Sequence, residues 1–548
     1  MFIQNQSISQ NLQGQSKNNS SRKIKFSGGL NLMSQYYNVK GIDPRRSPFS
    51  WVIGGNAVFS YGKFRIPLSF SFRDQKFSFG GPSFNKFGIS PRYKWAKLLL
   101  GYRSMRFSKY SLNGKTFFGA GIELKPKYLR FSAFKGKLKN PLAQKDTLVL
   151  GGILISTYDR DAYGVKLGFG NNRNHFDISY LKIKDNVDSD TIIRYPNIKP
   201  VENLVIGTDW SVLLFKRISF LGSANASAYS ENLSLEAFES ENKLYNFFDK
   251  MYDVNTSTKI SFAGDLALNL NLNNFNFGLQ FRRVEPNYRS LGISFIQADI
   301  QSYTANTNIN LFKRKLILNA RVGLEQNNLR KLDYLTRKRF IHSYRINYIP
   351  GQNFNILAHF ANYQYESTDG LVAINDTLRQ VNVSRLAGLN VSYNFKGEMK
   401  SYGAFINFQR QIVRDQSPIE NLGANILNNN FSIGGVIKWN ELDFSLRPSI
   451  NYSSYDLSTR TQSRFGFGLS LKKMIFEKKL NLNFSSKYAK NRINSQNNGY
   501  VLTNRLSVQY KITKKQVIKF RIGYLKKSSL TGRNFNELRS TLHYSFKF

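Results

Sequence analysis

The 548-residue sequence contains no cysteine. Disulfide bridges therefore do not stabilise the protein, and thiol catalysis and cysteine-ligated metal sites are excluded. The sequence also lacks any apolar stretch of about 18 residues, the length that a membrane-spanning helix needs. Histidine is nearly absent too: the 4 are His175, His342, His359 and His543. None has the spacing to serine, aspartate or another histidine that is typical of a catalytic triad or a metal site, so we expect neither an enzyme nor a cofactor.

Acidic residues are scarce. The chain has 34 Asp and Glu against 79 Lys and Arg, a net charge of +45. The usual interpretation of such a basic chain is nucleic-acid binding. Here, however, the basic residues are spread over alternate strand positions and short turns, and they form no basic tail or helix. That distribution is typical of a polar lumen and of contacts to anionic lipid, so no nucleic-acid partner is expected.

The sequence is instead rich in a period-2 alternation of apolar and polar residues, which repeats from about residue 27 to the end. Residues 64–73 read FRIPLSFSFR, and residues 316–325 read LILNARVGLE. A soluble β-sandwich also alternates. Three features favour a membrane barrel instead: Arg, Lys and Asn in the middle of long strands, connections that alternate between short and long, and aromatic residues near strand ends.

Short turns set the number of strands. They are centred at Gly62, Ala96, Pro126, Asn172, Lys216, Asn273, Arg314, Gly351, Gly397, Glu441, Phe476 and Lys514. Each turn joins two strands, and one further strand stands at each chain end, which gives about 26 strands. The predicted fold is all-β: a transmembrane antiparallel up-and-down β-barrel over residues 26–548, with no separate plug domain. The last strand should pair with the first, near Phe26 to Tyr37, and both termini should be periplasmic.

The N-terminus is predicted to carry an incomplete export signal. Ser7-Ile8-Ser9 followed by Gln10 has the small-x-small pattern of a signal-peptide cleavage site. We therefore predict that residues 1–9 are the remnant of a signal peptide and that residues 10–25 form a flexible periplasmic lead-in. The alternative is a disordered polar N-terminus with no processing.

Three groups of residues are candidates for function. Basic residues predicted to face the lumen would favour anions or acidic partner segments, or would only pair with lumen acids such as Glu325. They are Arg65, Arg73, Arg282, Arg321, Lys519 and Arg521.

A long acidic loop, Ser230 to Ser257, has partly helical spacing of apolar residues. It is either a plug or docking segment, or an ordinary extracellular loop helix; its candidate residues are Leu235, Phe238, Phe247 and Phe248. Finally, Tyr544, Phe546 and Phe548 end the chain as an aromatic barrel-assembly signal.

Two stretches, FGISPRYKW followed by GYR (87–95 and 101–103) and GVKLGFGNNR (164–173), resemble segments that recur in large outer-membrane barrels of Bacteroidota. The likeness runs along the whole chain. It implies a protein of the outer membrane of a Gram-negative bacterium. Such barrels include subunits of secretion, nutrient-uptake and barrel-assembly machines, and the final Phe548 matches the terminal aromatic that the barrel-insertion machinery reads.

We therefore expect a channel or scaffold subunit of a multi-protein outer-membrane complex, since a barrel this wide needs something to fill it. The expected partners are outer-membrane lipid and lipopolysaccharide, other outer-membrane or periplasmic subunits, and the barrel-assembly machinery during insertion. The alternatives are a self-plugged, anion-preferring porin and, disfavoured by the missing catalytic constellation, an outer-membrane enzyme.

Overall fold

A computed structural model describes residues 24–74, 86–139, 158–187, 199–371, 373, 379–417, 425–457 and 459–548. The predictions for residues 1–9 and for most of 10–25 fall outside these ranges. The strands of the first half are β1 (Lys25–Lys40), β2 (Phe49–Tyr61), β3 (Phe64–Arg73), β4 (Lys86–Ile89), β5 (Arg92–Tyr93), β6 (Ala96–Arg106), β7 (Asn113–Leu124), β8 (Leu129–Lys139), β9 (Asp159–Gly170), β10 (His175–Asn186), β11 (Glu202–Leu214), β12 (Ile218–Ser230), β13 (Thr258–Asn271) and β14 (Phe275–Val284).

The strands of the second half are β15 (Ile300–Leu311), β16 (Leu316–Gln326), β17 (Leu335–Tyr348), β18 (Phe354–Asp369), β19 (Val381–Lys396), β20 (Lys400–Asp415), β21 (Ile426–Trp439), β22 (Phe444–Leu457), β23 (Arg460–Ile475), β24 (Leu480–Ile493), β25 (Gln496–Lys511), β26 (Gln516–Ser528) and β27 (Phe535–Lys547). One short helix, α1 (Lys243–Asp249), begins at the N-cap residue Asn242. Within the described residues, no helix is long and apolar enough to cross a membrane.

Each strand pairs antiparallel with its neighbours in the chain, and the sheet closes on itself. β4 and β5 share one position, because both pair with β3 on one side and with β6 on the other. The break between them contains Pro91, which has no N–H to donate to a ladder. The 27 segments therefore fill 26 positions, and the predicted barrel and its strand number are confirmed.

The seam of the barrel lies between β1 and β27, as predicted. The register runs from Gly29 opposite Lys547 to Lys40 opposite Asn536. Beyond it, the Gly28 N–H donates to the Phe548 carbonyl at 3.2 Å and the Phe548 N–H donates to the Gly28 carbonyl at 3.1 Å. Among the described strands, closure leaves no unpaired edge, which is the condition for a sheet in lipid.

The turns predicted from the sequence, the start of β1 and the end of β27 lie at one end of the barrel, here called the turn end. The opposite, loop end has the longer connections and also short ones, such as Asn494 and Ser495 between β24 and β25. Several turns use left-handed backbone at residues other than glycine, including Phe215 and Lys216 with φ of 49° and 58°. Such turns match the right-handed twist of the flanking strands, which is why tight hairpins tolerate their cost. The turns inferred from the sequence are found at the turn end, except that Ala96 is the first residue of β6 and the turn before it is Lys94-Trp95.

The strand register separates two faces around the wall. On the outward face, apolar side chains such as Leu268, Tyr303 and Phe467 are exposed at 44%, 53% and 54%. A closed barrel with this apolar outer surface is suited to lipid contact. Strand spacing and tilt give 26 strands a diameter on the order of 50 Å. The inward face bounds a lumen of that width.

Candidate functional site

The candidate site is the lumen, and all six predicted basic residues lie at its lumen-facing positions. Arg65 and Arg73 alternate with the outward Phe64, Leu68 and Phe72 along β3. Arg282 of β14 stands opposite Asp265 in the ladder. Arg321 lies on β16, and Lys519 and Arg521 lie on β26. Two regions of the wall contain five of them, and Arg321 of β16 lies between these regions; that the six select anions stays a prediction.

The first region is the filled side, β6 to β15, where two loops fold into the lumen. The loop 107–112 joins β6 to β7, and the loop 285–299 joins β14 to β15. They bind each other: the Tyr288 hydroxyl donates to the Tyr110 carbonyl at 2.9 Å, and the Ser290 hydroxyl donates to the Ser111 carbonyl at 2.6 Å. Burial raises the pKa of the Tyr288 hydroxyl above its ordinary value, so this side chain is a neutral donor.

Both loops are also anchored to the wall. The Ser108 hydroxyl donates to Asn225 Oδ1 at 2.9 Å, and the Asn203 side chain accepts from the Leu291 N–H at 3.0 Å. Gly292 lies so close to Ser111 and Leu181 that a Cβ there would come within 2.4 Å of the Ser111 carbonyl oxygen. Only glycine allows this approach of backbone to backbone.

An apolar cluster seals the loops against the wall. Its buried members come from loop 107–112 and from the lumen face of six strands: Leu99, Met105, Phe107, Leu112, Phe117, Phe134, Ala162, Leu181, Ile183 and Val205. A barrel lumen is ordinarily polar. This part of the lumen is packed like the interior of a soluble protein, with loop 107–112 as part of the core.

Several charged side chains on the filled side are paired, whereas the Asp209 carboxylate forms no ion pair among the described residues. Asp177, 2% exposed at its side chain, accepts from Arg130 Nε at 2.7 Å and lies 3.2 Å from Lys166 Nζ. Arg160 and Asp185 form a second two-bonded pair, at 2.6 and 3.0 Å. Buried carboxylates need such partners, because an unpaired charge in this setting is costly.

The second region is the open side, β18 to β27 together with β1 to β5. In the part of the chain that the structure describes, acidic residues at its lumen positions are confined to the loop end: Asp369, Asp415 and Glu537. Basic residues occupy lumen positions along its depth: Arg65, Arg92, Lys438, Arg447, Arg464, Lys487, Arg505, Lys519 and Arg521. His543 lies among them, opposite Lys519 in the ladder.

The loop 231–257 does not lie in the lumen. Phe248 and Tyr252 pack with Leu204 and Ala228, which point to the outward face of β11 and β12. Tyr252 donates its hydroxyl to the Glu202 carbonyl at 2.8 Å, and burial raises its pKa. The sequence predicted partly helical spacing for this loop, and within it Lys243–Asp249 forms a helix.

The exposed residues of this loop form an outward patch: Leu235, Phe238, Leu244 and Phe247, exposed at 43% to 52%. This position outside the barrel does not fit a plug; a docking segment and an ordinary extracellular loop helix, the other predicted roles, stay predictions. The lumen is occupied by loops 107–112 and 285–299, which the sequence interpretation did not single out. One signal for them was available: Leu181, Ile183 and Val205 are apolar at positions where alternation requires lumen-facing residues.

The terminal aromatic residues lie on the outward face at the seam. Tyr544 and Phe546 stand opposite Leu32 and Leu30 of β1. The Phe548 ring stacks on Phe26 with centroids 4.7 Å apart. The structure thus shows a structural contact for Phe548; its role in assembly stays a prediction.

The four histidines lie on different strands, and within the described ranges no hydrogen bond or ion pair joins one of them to a serine or a carboxylate. His342 contacts Phe340, Tyr344 and Phe360 on the outward face. Among the residues described, no group of three His, Asp or Glu side chains could hold a metal ion.

No family model matches the chain, and no curated protein matches it. Solved structures do resemble it. The P pilus usher (PapC) translocation pore has 9% identity and a TM-score of 0.35, covering 95% of this chain and 99% of that chain. OccAB2 of Acinetobacter baumannii has 9% identity and a TM-score of 0.32, covering 64% and 92%. Outer-membrane expressed OmpT of Vibrio cholerae has 11% identity and a TM-score of 0.26, covering 71% and 98%. At these values the likeness assigns no family and no function.

Proposed function

We propose that the protein is an outer-membrane channel in which small anions cross through the open side of the lumen. The observation that carries this proposal is the charge of that side. Basic residues occupy its lumen positions along the depth of the barrel, whereas the acidic residues described there are Asp369, Asp415 and Glu537 at the loop end. The proposed function is therefore that of a self-plugged, anion-preferring channel.

The physical basis is electrostatic. A passage lined by one sign of charge between low-dielectric walls raises the local concentration of ions of the opposite sign. The filled side contributes by narrowing the barrel, because its two loops remove part of a cross-section that would otherwise be on the order of 50 Å wide. Two of its acids, Asp177 and Asp185, are held by Arg130, Lys166 and Arg160, so these two add little net negative charge to the passage.

The direct test is the reversal potential of the purified full-length barrel in planar bilayers across a potassium chloride gradient. We expect stable conductance with a reversal potential displaced toward the chloride equilibrium potential. A barrel that stays silent, or one that prefers potassium, would exclude the proposal. Raising the salt concentration should weaken the preference, because screening shortens the range of the lumen charges.

A second candidate function is that of a subunit in a multi-protein complex, and the outward patch of loop 231–257 favours it. Isolated exposed apolar residues are ordinary, but a cluster such as Phe238, Leu244 and Phe247 on an acidic loop is typical of an interaction site. Purification of the native protein should then yield a stoichiometric partner, which Phe247→Asp removes and the matched Glu239→Gln retains. A barrel that purifies alone under mild conditions argues against this role.

A further inference from the structure

The lumen wall of the open side contains a groove lined by amide side chains, here called the amide groove. It spans β18 to β25 and has a volume of about 660 Å³. That volume lies within the range of small-molecule sites. Its polar lining includes Asn390, Asn407, Gln409, Asn430, Asn451 and Arg464.

The strand register arranges this lining in rows across the wall. One row runs through Asn390, Asn407, Ser432 and Asn451, each directly opposite the next on neighbouring strands. The next row, two residues along, runs from Gln409 through Asn430 and Ser453 to Arg464 and Asn491. Neighbouring strands are about 4.8 Å apart, so the rows present closely spaced polar groups.

The amides use only part of their hydrogen-bonding capacity on one another. Asn407 accepts from the Asn390 amide and donates to Ser432 Oγ at 3.2 Å, while Asn430 donates to Asn428 Oδ1 at 3.2 Å. Each amide side chain has two donor hydrogens and an acceptor oxygen with two lone pairs. Among the described residues, the groove therefore keeps donors and acceptors in alternation for a ligand.

Glycines allow close packing along the wall of the groove. The His359 ring lies directly over Gly388, where a Cβ would come within 2.1 Å of His359 Cε1. Gly466 and Gly468 occupy lumen positions of β23, where a Cβ would come within 2.9 Å of Ala489 Cβ and 2.6 Å of Ser449 Oγ. Glycine at these places therefore lets the neighbouring groups lie against the backbone.

Two basic residues give the groove a positive charge. The Asn491 side chain accepts from Arg464 Nε at 2.8 Å, which orients the guanidinium. The Arg464 Nη groups and Lys487 Nζ have no hydrogen-bond or ion-pair partner within the ranges that the structure describes. Arg464 therefore has a fixed fork of donors, the geometry that suits a carboxylate or a phosphate.

We propose that the amide groove binds an anionic carbohydrate, a sugar ring that carries a carboxylate or a phosphate. The amide rows match hydroxyl groups, which donate and accept as amides do, and Arg464 with Lys487 matches the anionic group. This inference rests on the proposed anion channel and narrows its substrate class. The amide rows alone would suit a neutral sugar, and the basic pair alone would suit a simple anion. The two together suit a sugar that carries an anionic group.

The test is equilibrium binding to the purified full-length barrel in detergent, which does not depend on conductance. The probes are glucuronate, glucose 6-phosphate, glucose and acetate. We expect glucuronate or glucose 6-phosphate to bind roughly tenfold or more tightly than glucose and acetate, because a charge-assisted hydrogen bond contributes at least that factor. The inference is overturned if acetate or glucose binds as tightly as glucuronate and glucose 6-phosphate. It is also overturned if neither glucuronate nor glucose 6-phosphate binds.

Variants locate the site. Asn430→Ala and Arg464→Gln should each weaken binding of the tighter sugar anion about tenfold. The matched control is Asn429→Ala, one residue away on the outward face of the same strand, which should leave binding unchanged. Lys487→Gln serves in place of Arg464→Gln if that variant fails to fold. Equal losses in Asn429→Ala and Asn430→Ala would overturn the assignment.

The failure of this inference is distinguishable from failure of the channel. A barrel that conducts anions but binds no sugar anion refutes only the amide groove as a site. A barrel that binds glucuronate in the groove but stays silent in bilayers refutes only the channel.

Discussion

The filled side and the open side of the lumen are built on the same kind of antiparallel ladder, but their interiors differ. On the filled side, Leu181 and Val205 pack against inward loops, and Asp177 is held between Arg130 and Lys166. On the open side, amide side chains such as Asn407 and basic side chains such as Arg505 face the lumen. Hydrogen bonds between neighbouring strands stabilise the wall on both sides. The side chains on the lumen face can therefore form either a packed core or a ligand site.

Substitutions on the two sides should change different properties of the protein. Loss of a filled-side contact should cost folding free energy, because those groups are buried and partnered. Loss of an open-side charge should leave the fold intact and alter only what passes or binds. Each of the following variants tests that division, from the largest expected cost in stability to the smallest.

Tyr288→Ala should have the largest effect. Tyr288 is 1% exposed, contacts Tyr110, and holds the two inward loops together. Truncation of a buried aromatic costs about 3 to 5 kcal/mol in folding free energy. Detached loops should also increase single-channel conductance. Urea unfolding in detergent and bilayer recording measure both effects, and Phe295→Ala in the same loop is the control, since Phe295 is 86% exposed. Equal behaviour of the two variants would show that the loops do not fill the lumen.

Asp177→Asn should come next. The substitution leaves Arg130 and Lys166 with no carboxylate, and breaking a buried pair on one side costs about 3 to 5 kcal/mol. Asp443→Asn is the matched control, because its pair with Lys478 is at an exposed turn and should be worth about 1 kcal/mol or less. The unfolding midpoints of the two variants give the comparison. If Asp177→Asn is as stable as Asp443→Asn, the filled side is not a folded interior.

Phe548→Ala removes two outward aromatic contacts at the seam, those with Phe26 and Phe546, on the open side. The stacked pair with Phe26 should be worth about 0.5 to 1.5 kcal/mol beyond the area that it buries. Refolded protein should therefore be only slightly less stable. In cells, deletion of Phe548 should lower the amount of barrel in the membrane, as a terminal recognition signal requires. Unchanged membrane levels would leave Phe548 with its packing role alone.

Arg505→Glu combined with Arg521→Glu should have the smallest effect on stability, within about 0.5 kcal/mol for substitutions away from packed features. These residues lie at lumen positions of β25 and β26. The anion-to-cation permeability ratio should fall severalfold, because the charge of the passage is reversed at two places. Lys490→Glu, on the outward face of β24, should change neither quantity. An unchanged reversal potential in the double variant would break the assignment of the open side as the anion path.

Much of the fold was predictable from the sequence because its signal is local. Alternation assigned Arg65, Arg282 and Lys519 to the lumen face, and turn residues such as Gly62 and Asn172 separated the strands. The seam followed from the need to remove both edges. The inward loops were not predictable in this way, because 107–112 is short and ordinary in composition, and its partner is Tyr288, far away in the chain.

The sequence by itself determined the barrel, its strand number, its closure and which face of each strand meets lipid, since period-2 alternation and short turns act between neighbouring residues. Only the tertiary structure decided how the lumen is divided. Whether Leu181 lies in a core, whether Asp177 is paired, and whether Asn407 and Asn430 line a groove depend on loops and strands distant in sequence. The position of loop 231–257 outside the wall was decided in the same way, by the packing of Phe248 and Tyr252 on the outward faces of β11 and β12.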